Sequence, residues 1–134
     1  MRRLVVRAHV DDRRAFFGDL FDLATGDVNV VVLLPGSICA WHRHAEQDDQ
    51  LFCAKGTVRV GMKAKAQCQP HEIAWEVLDE RNPRVITIPR GLYHGYQNLG
   101  PERAILVGYN NRKYDGSDEE RLLCVESDWQ RAPR

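Results

Sequence analysis

Three histidines and one aspartate stand at spacings that suit acid–base or metal chemistry. His42 and His44 are separated by one residue, and Asp49 follows five positions later. Residues i and i+2 of a β-strand face the same side, so the two imidazoles are predicted to point together. If the strand that Asp49 opens pairs antiparallel with the histidine strand, its carboxylate faces the same interior. Imidazole and carboxylate groups can transfer protons or bind a divalent metal.

A second stretch brings another histidine. It reads Pro89-x-Gly91-x-x-His94-x-x-x-Asn98, in which a tight turn delivers His94 onto a further strand. Taken alone, each histidine is more typical of a surface or core position, and a single aspartate at a strand start is more typical of a turn. The joint spacing of the two stretches favours a functional set.

The elements that must position these residues are nearly all β. Short runs rich in apolar and β-branched residues alternate with Gly and Pro turn signals, as in an all-β sandwich or barrel. Lys55-Gly56-Thr57 is typical of a hairpin turn. Residues 118–123 are predicted to form a short helix. The predicted strands are 4–9, 28–34, 37–44, 50–54, 58–62, 73–78, 85–88, 94–98 and 104–109.

Length and composition restrict the function classes. The 134 residues suit one domain, 1–134, with one core. The formal net charge is zero, which argues against a nucleic-acid binder and against a polybasic membrane-surface protein. No apolar run is long enough for a signal peptide or a membrane span. Four cysteines without a tight spacing pattern predict free thiols in a reducing cytoplasm, with two disulfides as the less favoured alternative.

The two histidine stretches resemble the two motifs of the cupin superfamily, G-x5-H-x-H-x(3,4)-E-x6-G and G-x5-P-x-G-x-x-H-x-x-x-N. Asp49 stands where the first motif has Glu, and Pro83 stands where the second has its first Gly. The resemblance implies a single-domain jelly-roll β-barrel. It also implies a metal site at His42, His44, Asp49 and His94, with Asp48 as a substitute for Asp49. Such ligands suit Fe, Mn, Zn, Ni or Cu, so the ligand set does not identify the metal.

Within the cupins, the chain is most similar to the dTDP-4-dehydrorhamnose 3,5-epimerases and dTDP-keto-sugar ketoisomerases. The similarity is carried by the segments 10–17, 41–44, 51–56, 88–96 and 113–121, of which the Ile-Pro-x-Gly-x-x-His-Gly element at 88–95 is the most telling. The histidine pair is closer to the ketoisomerases. A Gly usually follows the Arg of the family's opening segment, where this chain has Arg14.

One departure concerns the catalytic acid. The 3,5-epimerases use a Tyr on the strand that here spans 105–110, and counting back from Tyr114 places that position near Gly108. Tyr109 is one residue away, and a shift of one residue on a strand reverses the face. The epimerase pair of base and acid is therefore predicted to be incomplete. Tyr93 and Tyr96 are further candidates, although both suit barrel packing better.

Two function classes follow. In the first, the chain is an epimerase or isomerase of a dTDP-linked 4-keto-6-deoxy sugar that needs no cofactor. His42 is then the base, Asp49 orients His42 or His44, and His94 donates a hydrogen bond to the enolate oxygen. In the second, the four residues hold a divalent transition metal, as in a small-molecule dioxygenase or a non-catalytic ligand-binding cupin. A cytoplasmic homodimer with a nucleotide-sugar substrate is expected from the resemblance.

Other side chains are candidates for substrate contacts. Arginine suits the geometry of a diphosphate, and aromatic rings can stack on a base or a sugar. Trp129 is expected to cover a barrel mouth or to lie in a dimer contact, to which residues 4–6 and Phe52 could contribute. The candidate arginines are Arg43, Arg59 and Arg90, and the candidate aromatic residues are Trp41, Phe52, Trp75, Tyr93 and Tyr96.

Overall fold

The fold consists of β-strands joined by short turns. The computed structural model describes residues 3, 5–113, 117–122 and 128–129, and all elements below lie within them. These residues contain no α-helix, and Pro70–Glu72 forms a 3₁₀ turn. The strands are β1 Arg7–Val10, β2 Arg14–Gly18, β3 Asp27–Leu33, β4 Ile38–His44, β5 Asp49–Lys55, β6 Thr57–Lys63, β7 Ala74–Asp79, β8 Val85–Ile88, β9 Tyr93–Asn98, β10 Ala104–Asn110 and β11 Glu119–Arg121.

The strands form two antiparallel sheets that pack face to face. The first has the order β1-β2-β3-β10-β5-β8, and the second has the order β11-β4-β9-β6-β7. Their inner faces enclose one apolar core that includes Leu33, Val58, Val60, Leu78 and Leu106. The predicted all-β jelly roll is therefore confirmed.

Polarity changes along the inner faces of β3 and β5. In β3 the buried positions alternate with partly exposed ones, as expected for a strand with one face in the interior. Asp27 and Asn29 occupy the buried positions at one end of this strand, and Val31 and Leu33 occupy those at the other. In β5, buried Asp49 likewise precedes buried Leu51 and Cys53. One end of the barrel is thus polar inside, and the other is closed by apolar packing.

Several sequence predictions about elements need correction. The predicted hairpin at Gly56 is wrong, because β5 lies in the first sheet and β6 in the second. Gly56 instead lets the chain cross between the sheets, with φ at 88° and an added Cβ only 3.0 Å from the Cβ of Ala104. The predicted helix at 118–123 is also wrong where it is described, because Glu119–Arg121 pairs with β4 as a strand.

Strand β2 is an element that the sequence reasoning missed. It joins β1 to β3 at the edge of the first sheet. The N-terminal strand was predicted at 4–9, and the structure has β1 at Arg7–Val10, while residue 4 lies outside the described residues.

A second, smaller apolar cluster covers the other side of the second sheet. Trp41, Tyr93 and Trp129 belong to it, and the Trp129 ring lies 5.0 Å from that of Trp41 and 4.9 Å from that of Trp75. Trp129 therefore packs against a sheet rather than over a barrel mouth. Cys53 and Cys68 are free thiols, as predicted, Cys39 forms no disulfide with a described residue, and Cys124 lies outside the described residues. A membrane-spanning helix is absent from the described part of the chain.

Candidate active site

The polar end of the barrel contains a cavity of about 590 Å³. The side chains of His42, His44, Asp49 and His94 line it together. One potential ligand atom from each of the four lies within 4.8 Å of those of the others. The structure thus brings together all four residues that the sequence singled out.

Two neighbouring strands of the second sheet position the histidines. His42 on β4 lies directly opposite His94 on β9, and their ring centroids are 4.1 Å apart. The pairing register shifts between Cys39 and His42, so both residues face the interior although they are three positions apart. His44 follows on the same face, with its ring centroid 5.5 Å from that of His42.

Asp49 reaches the histidines from the opposite sheet. Its strand β5 pairs with β10 and β8, so the antiparallel pairing with β4 that the sequence analysis considered does not occur. The carboxylate nevertheless faces the same interior, because the inner faces of the two sheets meet there. Its Oδ2 lies 3.1 Å from Nε2 of His94 and 3.7 Å from Nε2 of His44.

The backbone sets the tautomer of His94. Its Nδ1 lies 3.1 Å from the carbonyl oxygen of Leu92. A carbonyl oxygen can only accept a hydrogen bond, so Nδ1 must carry a proton and donate it. The Nε2 atom then points toward Asp49 and the centre of the cluster. Both ring nitrogens of His94 thus face oxygen atoms of the protein.

Two amides hold the other oxygen of Asp49. Gln47 donates a hydrogen bond of 2.7 Å from Nε2 to Oδ1, and Asn110 donates a second from Nδ2 to the same atom. Burial by itself would raise the pKa of Asp49, but hydrogen bonds from His94 and Gln47 and the charges of the histidines outweigh it and lower the pKa. Asp48, the substitute considered for this position, is paired with Arg90 outside the cluster.

The electrostatics of the cavity favour neutral imidazoles at two positions. Enclosure by protein lowers the pKa of His42 well below its usual value, and the positive fields of His94, His44 and Arg14 add to this effect. Burial also lowers the pKa of His44, with Asp49 opposing the shift. A neutral imidazole can accept a proton or bind a metal through its free lone pair.

The donor set fits a divalent transition metal. Three imidazoles and one carboxylate are ligands that such metals accept, and the atoms lie close enough to converge on one ion. The hydrogen bond from His94 Nδ1 to the carbonyl oxygen of Leu92 is of the kind that orients metal-binding histidines. The amides bind Oδ1 of Asp49 and so leave its Oδ2 for the ion.

The arginines of the cavity are not those chosen from the sequence. Arg43 is paired with Glu120, Arg90 with Asp48, and buried Arg59 with Gln97, and none of the three lines the cavity. The arginines that do so are Arg7, Arg13, Arg14, Arg112 and Arg121. Three of them come from β1, β2 and the turn between these strands, and this region was not predicted to reach the site.

Among the aromatic candidates, Trp41 and Tyr96 line the cavity, whereas Phe52, Trp75 and Tyr93 do not. Tyr96 is 5% exposed, and its hydroxyl accepts a hydrogen bond of 3.0 Å from Nη1 of Arg14. Burial raises the pKa of Tyr96 to about 12, although Arg14 opposes the shift. Tyr93 donates a hydrogen bond to Glu120 away from the cavity.

Gly108 lines the cavity at the position where the epimerases were expected to have their tyrosine. A Cβ added to Gly108 would lie 2.5 Å from Oδ1 of Asn29, so the asparagine occupies that space. Asn29 in turn donates a hydrogen bond of 2.7 Å to Asn110. Tyr109 is exposed and does not line the cavity. An amide network therefore stands in place of the tyrosine.

Sequence reasoning missed these polar wall residues, although one signal was present. Asp27 and Asn29 interrupt an otherwise apolar β-branched run at two positions of the same parity. Polar residues on the buried face of a strand indicate a polar cavity or a hydrogen-bond network. No comparable signal identifies Arg14 or Gln47, whose roles depend on contacts distant in sequence.

The fold and the cavity define the chain as an all-β jelly roll with a histidine-rich interior, as the resemblance to the cupins implied. The capsular polysaccharide assembling protein CapF from Staphylococcus aureus has a similar structure, with a TM-score of 0.78 at 21% identity over 90% of this chain and 32% of CapF. No protein-family model matches the chain.

Two curated relatives are similar in sequence. The probable low-salt glycan biosynthesis epimerase Agl13 of Haloferax volcanii is 39% identical over 93 residues, which cover 66% of this chain and 60% of Agl13. The spore coat polysaccharide biosynthesis protein SpsL of Bacillus subtilis is 32% identical over 92 residues, 66% of this chain and 61% of SpsL. The chain thus spans less than two thirds of either relative. The similarity to Agl13 confirms the relationship to sugar epimerases that the motifs predicted.

Proposed function

We propose that this protein is an epimerase or isomerase that acts on a nucleotide-linked keto sugar, a dTDP-linked 4-keto-6-deoxy sugar being the specific expectation. The observation that carries the proposal is the enclosed cluster of His42, His44, Asp49 and His94 inside a cupin barrel. The similarity to Agl13, which is named as a probable glycan biosynthesis epimerase, supports a sugar substrate.

The charge of the cavity supports a substrate that carries phosphate. Five arginines and three carboxylates line its walls, whereas the whole chain has a formal net charge of zero. Some of these arginines form exposed ion pairs, such as that of Arg112 with Glu46. An exposed pair contributes little to stability, so its arginine can turn to a phosphate at small cost.

His42 is proposed as the general base. Removing a proton next to a ketone breaks a C–H bond and moves the electron pair toward the carbonyl oxygen, giving an enolate. A neutral imidazole can accept that proton, and the lowered pKa of His42 keeps it neutral at physiological pH. Returning a proton to the same carbon from the other face inverts its configuration, and returning one to the neighbouring carbon isomerises the sugar.

A metal-dependent cupin is the second candidate, because the same four side chains fit a divalent metal. Bound there, such an ion would supply Lewis-acid polarisation of a substrate oxygen. His42 would then be a ligand and unavailable as a base. The small-molecule dioxygenase and the non-catalytic ligand-binding cupin expected from the sequence belong to this alternative.

Activity and metal content together separate the two candidates. The His42→Ala variant is expected to lose about 10²–10⁴-fold in turnover of a dTDP-keto sugar, the range attributed to a general base. Treatment of the wild type with a chelator is expected to change nothing. His71→Ala is the matched control, since His71 lies in the exposed 3₁₀ turn.

The opposite result would establish the metal candidate. It would consist of a stoichiometric transition metal in the purified protein and loss of function when that metal is removed. The homodimer and the cytoplasmic location expected from the sequence stay predictions.

A further inference from the structure

Arg14 differs from the other arginines of the cavity in its partner. Arg7 is paired with Asp27, Arg13 with Asp11, Arg112 with Glu46 and Arg121 with Glu119. Arg14 forms no ion pair with any residue that the structure describes. The one side-chain hydrogen bond that Arg14 forms with a described residue goes from Nη1 to the neutral hydroxyl of Tyr96.

The Arg14–Tyr96 contact joins the two sheets beside the histidine cluster. Arg14 lies on β2 of the first sheet and Tyr96 on β9 of the second. The Tyr96 and His42 rings have centroids 6.5 Å apart, and all three side chains line the cavity. A substrate atom next to His42 is therefore also next to this pair.

The pair has hydrogen-bond donors that the described residues leave unused. The Tyr96 hydroxyl accepts from Arg14, and its own hydrogen has no acceptor among the described residues. The Nε atom of Arg14 is enclosed and has no hydrogen-bond partner. A native fold satisfies most enclosed donors, and an exception at a cavity wall points to a role beyond folding.

We infer that Arg14 and Tyr96 form the oxyanion site of this cavity and donate hydrogen bonds to the enolate oxygen of a keto-sugar substrate. This inference rests on the function proposed above. When His42 takes the proton, the C–H electron pair forms the carbon–carbon double bond of the enolate, and the carbonyl π pair moves onto the oxygen. An unneutralised guanidinium next to a tyrosine hydroxyl stabilises that charge, and both groups are in place before the reaction.

This site replaces His94 as the donor to the enolate. His94 was expected to donate that hydrogen bond, but its two ring nitrogens face the carbonyl oxygen of Leu92 and the carboxylate of Asp49. The hydroxyl hydrogen of Tyr96 and the Nε–H of Arg14 have no acceptor among the described residues. With Arg14 and Tyr96 as the donors to the enolate oxygen, His94 is left to orient Asp49 and the other histidines of the cluster.

Hydrogen exchange tests the inference. In D₂O, NMR follows loss of the C–H signals next to the ketone of dTDP-4-keto-6-deoxyglucose for the wild type, Tyr96→Phe, Arg14→Gln and the double variant. Each single variant is expected to lower kcat by about 10²–10³-fold, the loss typical of one oxyanion donor. KM should change little, and the double variant should lose little more than either single variant, because the two groups act as a unit.

Tyr93→Phe is the matched control. Tyr93 lies on the same strand as Tyr96, but its hydroxyl donates a hydrogen bond to Glu120 outside the cavity. The kcat of Tyr93→Phe should therefore equal that of the wild type. Melting temperatures establish that every variant is folded. A wild-type kcat in Tyr96→Phe would overturn the oxyanion site while leaving the proposed function standing. A wild type without any exchange would overturn both.

Discussion

Asp49 uses its two carboxylate oxygens for different partners. Oδ1 accepts hydrogen bonds from Gln47 and Asn110, and Oδ2 faces His94 and His44. A carboxylate that accepts hydrogen bonds on one oxygen stays charged and cannot rotate freely. The amides therefore determine which oxygen the histidines meet, whether the cluster transfers protons or holds a metal.

Removing one of these amides should cost stability. Asn110→Ala deletes the bond to Asp49 and the acceptor for Asn29, and we expect the free energy of unfolding in urea to fall by about 1–3 kcal/mol. Asn111→Ala is the control, because its contacts with Asp48 are exposed and should contribute much less. Equal losses of unfolding free energy in the two variants would contradict a stabilising role for the amide network.

At the scale of elements, β4 and β9 pack closely beside the paired residues His42 and His94. Gly95, next to His94, makes this possible, because an added Cβ would lie 2.4 Å from the Cβ of Ala40 and 2.7 Å from the carbonyl oxygen of Cys39. Backbone atoms cannot move away without separating the strands. The spacing of the two histidines is thus set by the absence of a side chain beside them.

Gly95→Ala is accordingly expected to destabilise the protein by about 1–3 kcal/mol or more, as overpacking does in a tight core. Gly100→Ala should change stability by less than about 0.5 kcal/mol, because an added Cβ there has only ordinary contact, at 3.5 Å, with Asn98. Thermal or urea unfolding of the two variants makes the comparison. A stable Gly95→Ala protein would show that β4 and β9 can separate.

At the scale of the whole molecule, turn carboxylates couple stability to pH. Asp79 accepts hydrogen bonds from the side chain and backbone of Arg81 and from Thr57, and these contacts lower its pKa. Asp11 and Asp48 also have lowered pKa values, about 2 for Asp48. Asp27 opposes this pattern, because burial raises its pKa.

The sign of the effect follows from linkage. A carboxyl whose pKa is lower in the folded state stabilises the fold above its unfolded pKa of about 3.9, and this contribution is lost as the pH falls toward the folded value. Asp79→Asn is therefore expected to be less stable than the wild type at pH 7, and the difference should shrink as the pH falls through the acid range. Urea unfolding at several pH values measures it, and a difference independent of pH would refute the assignment.

The sequence by itself determined which residues meet in the barrel interior. Alternation along a strand encodes which face a side chain occupies, so His42, His44, Asp49 and His94 could be assigned to one interior from spacing and turn glycines. The same period-two pattern placed Asp27 and Asn29 on a buried face, although the sequence reasoning did not use this signal. The all-β class followed from the same local signals.

Only the tertiary structure decided which strands are neighbours and which distant side chains complete the site. The alternation of side chains along a strand shows which face a residue occupies, but not which strand lies beside it. The sequence reasoning therefore assigned β5 and β6 to one hairpin, although they lie in different sheets. Residues 118–123 showed a similar limit, since pairing with β4 overrides the local helix preference at Glu119–Arg121. Arg14 and Tyr96 are 82 positions apart, and only the packing of the two sheets brings them together.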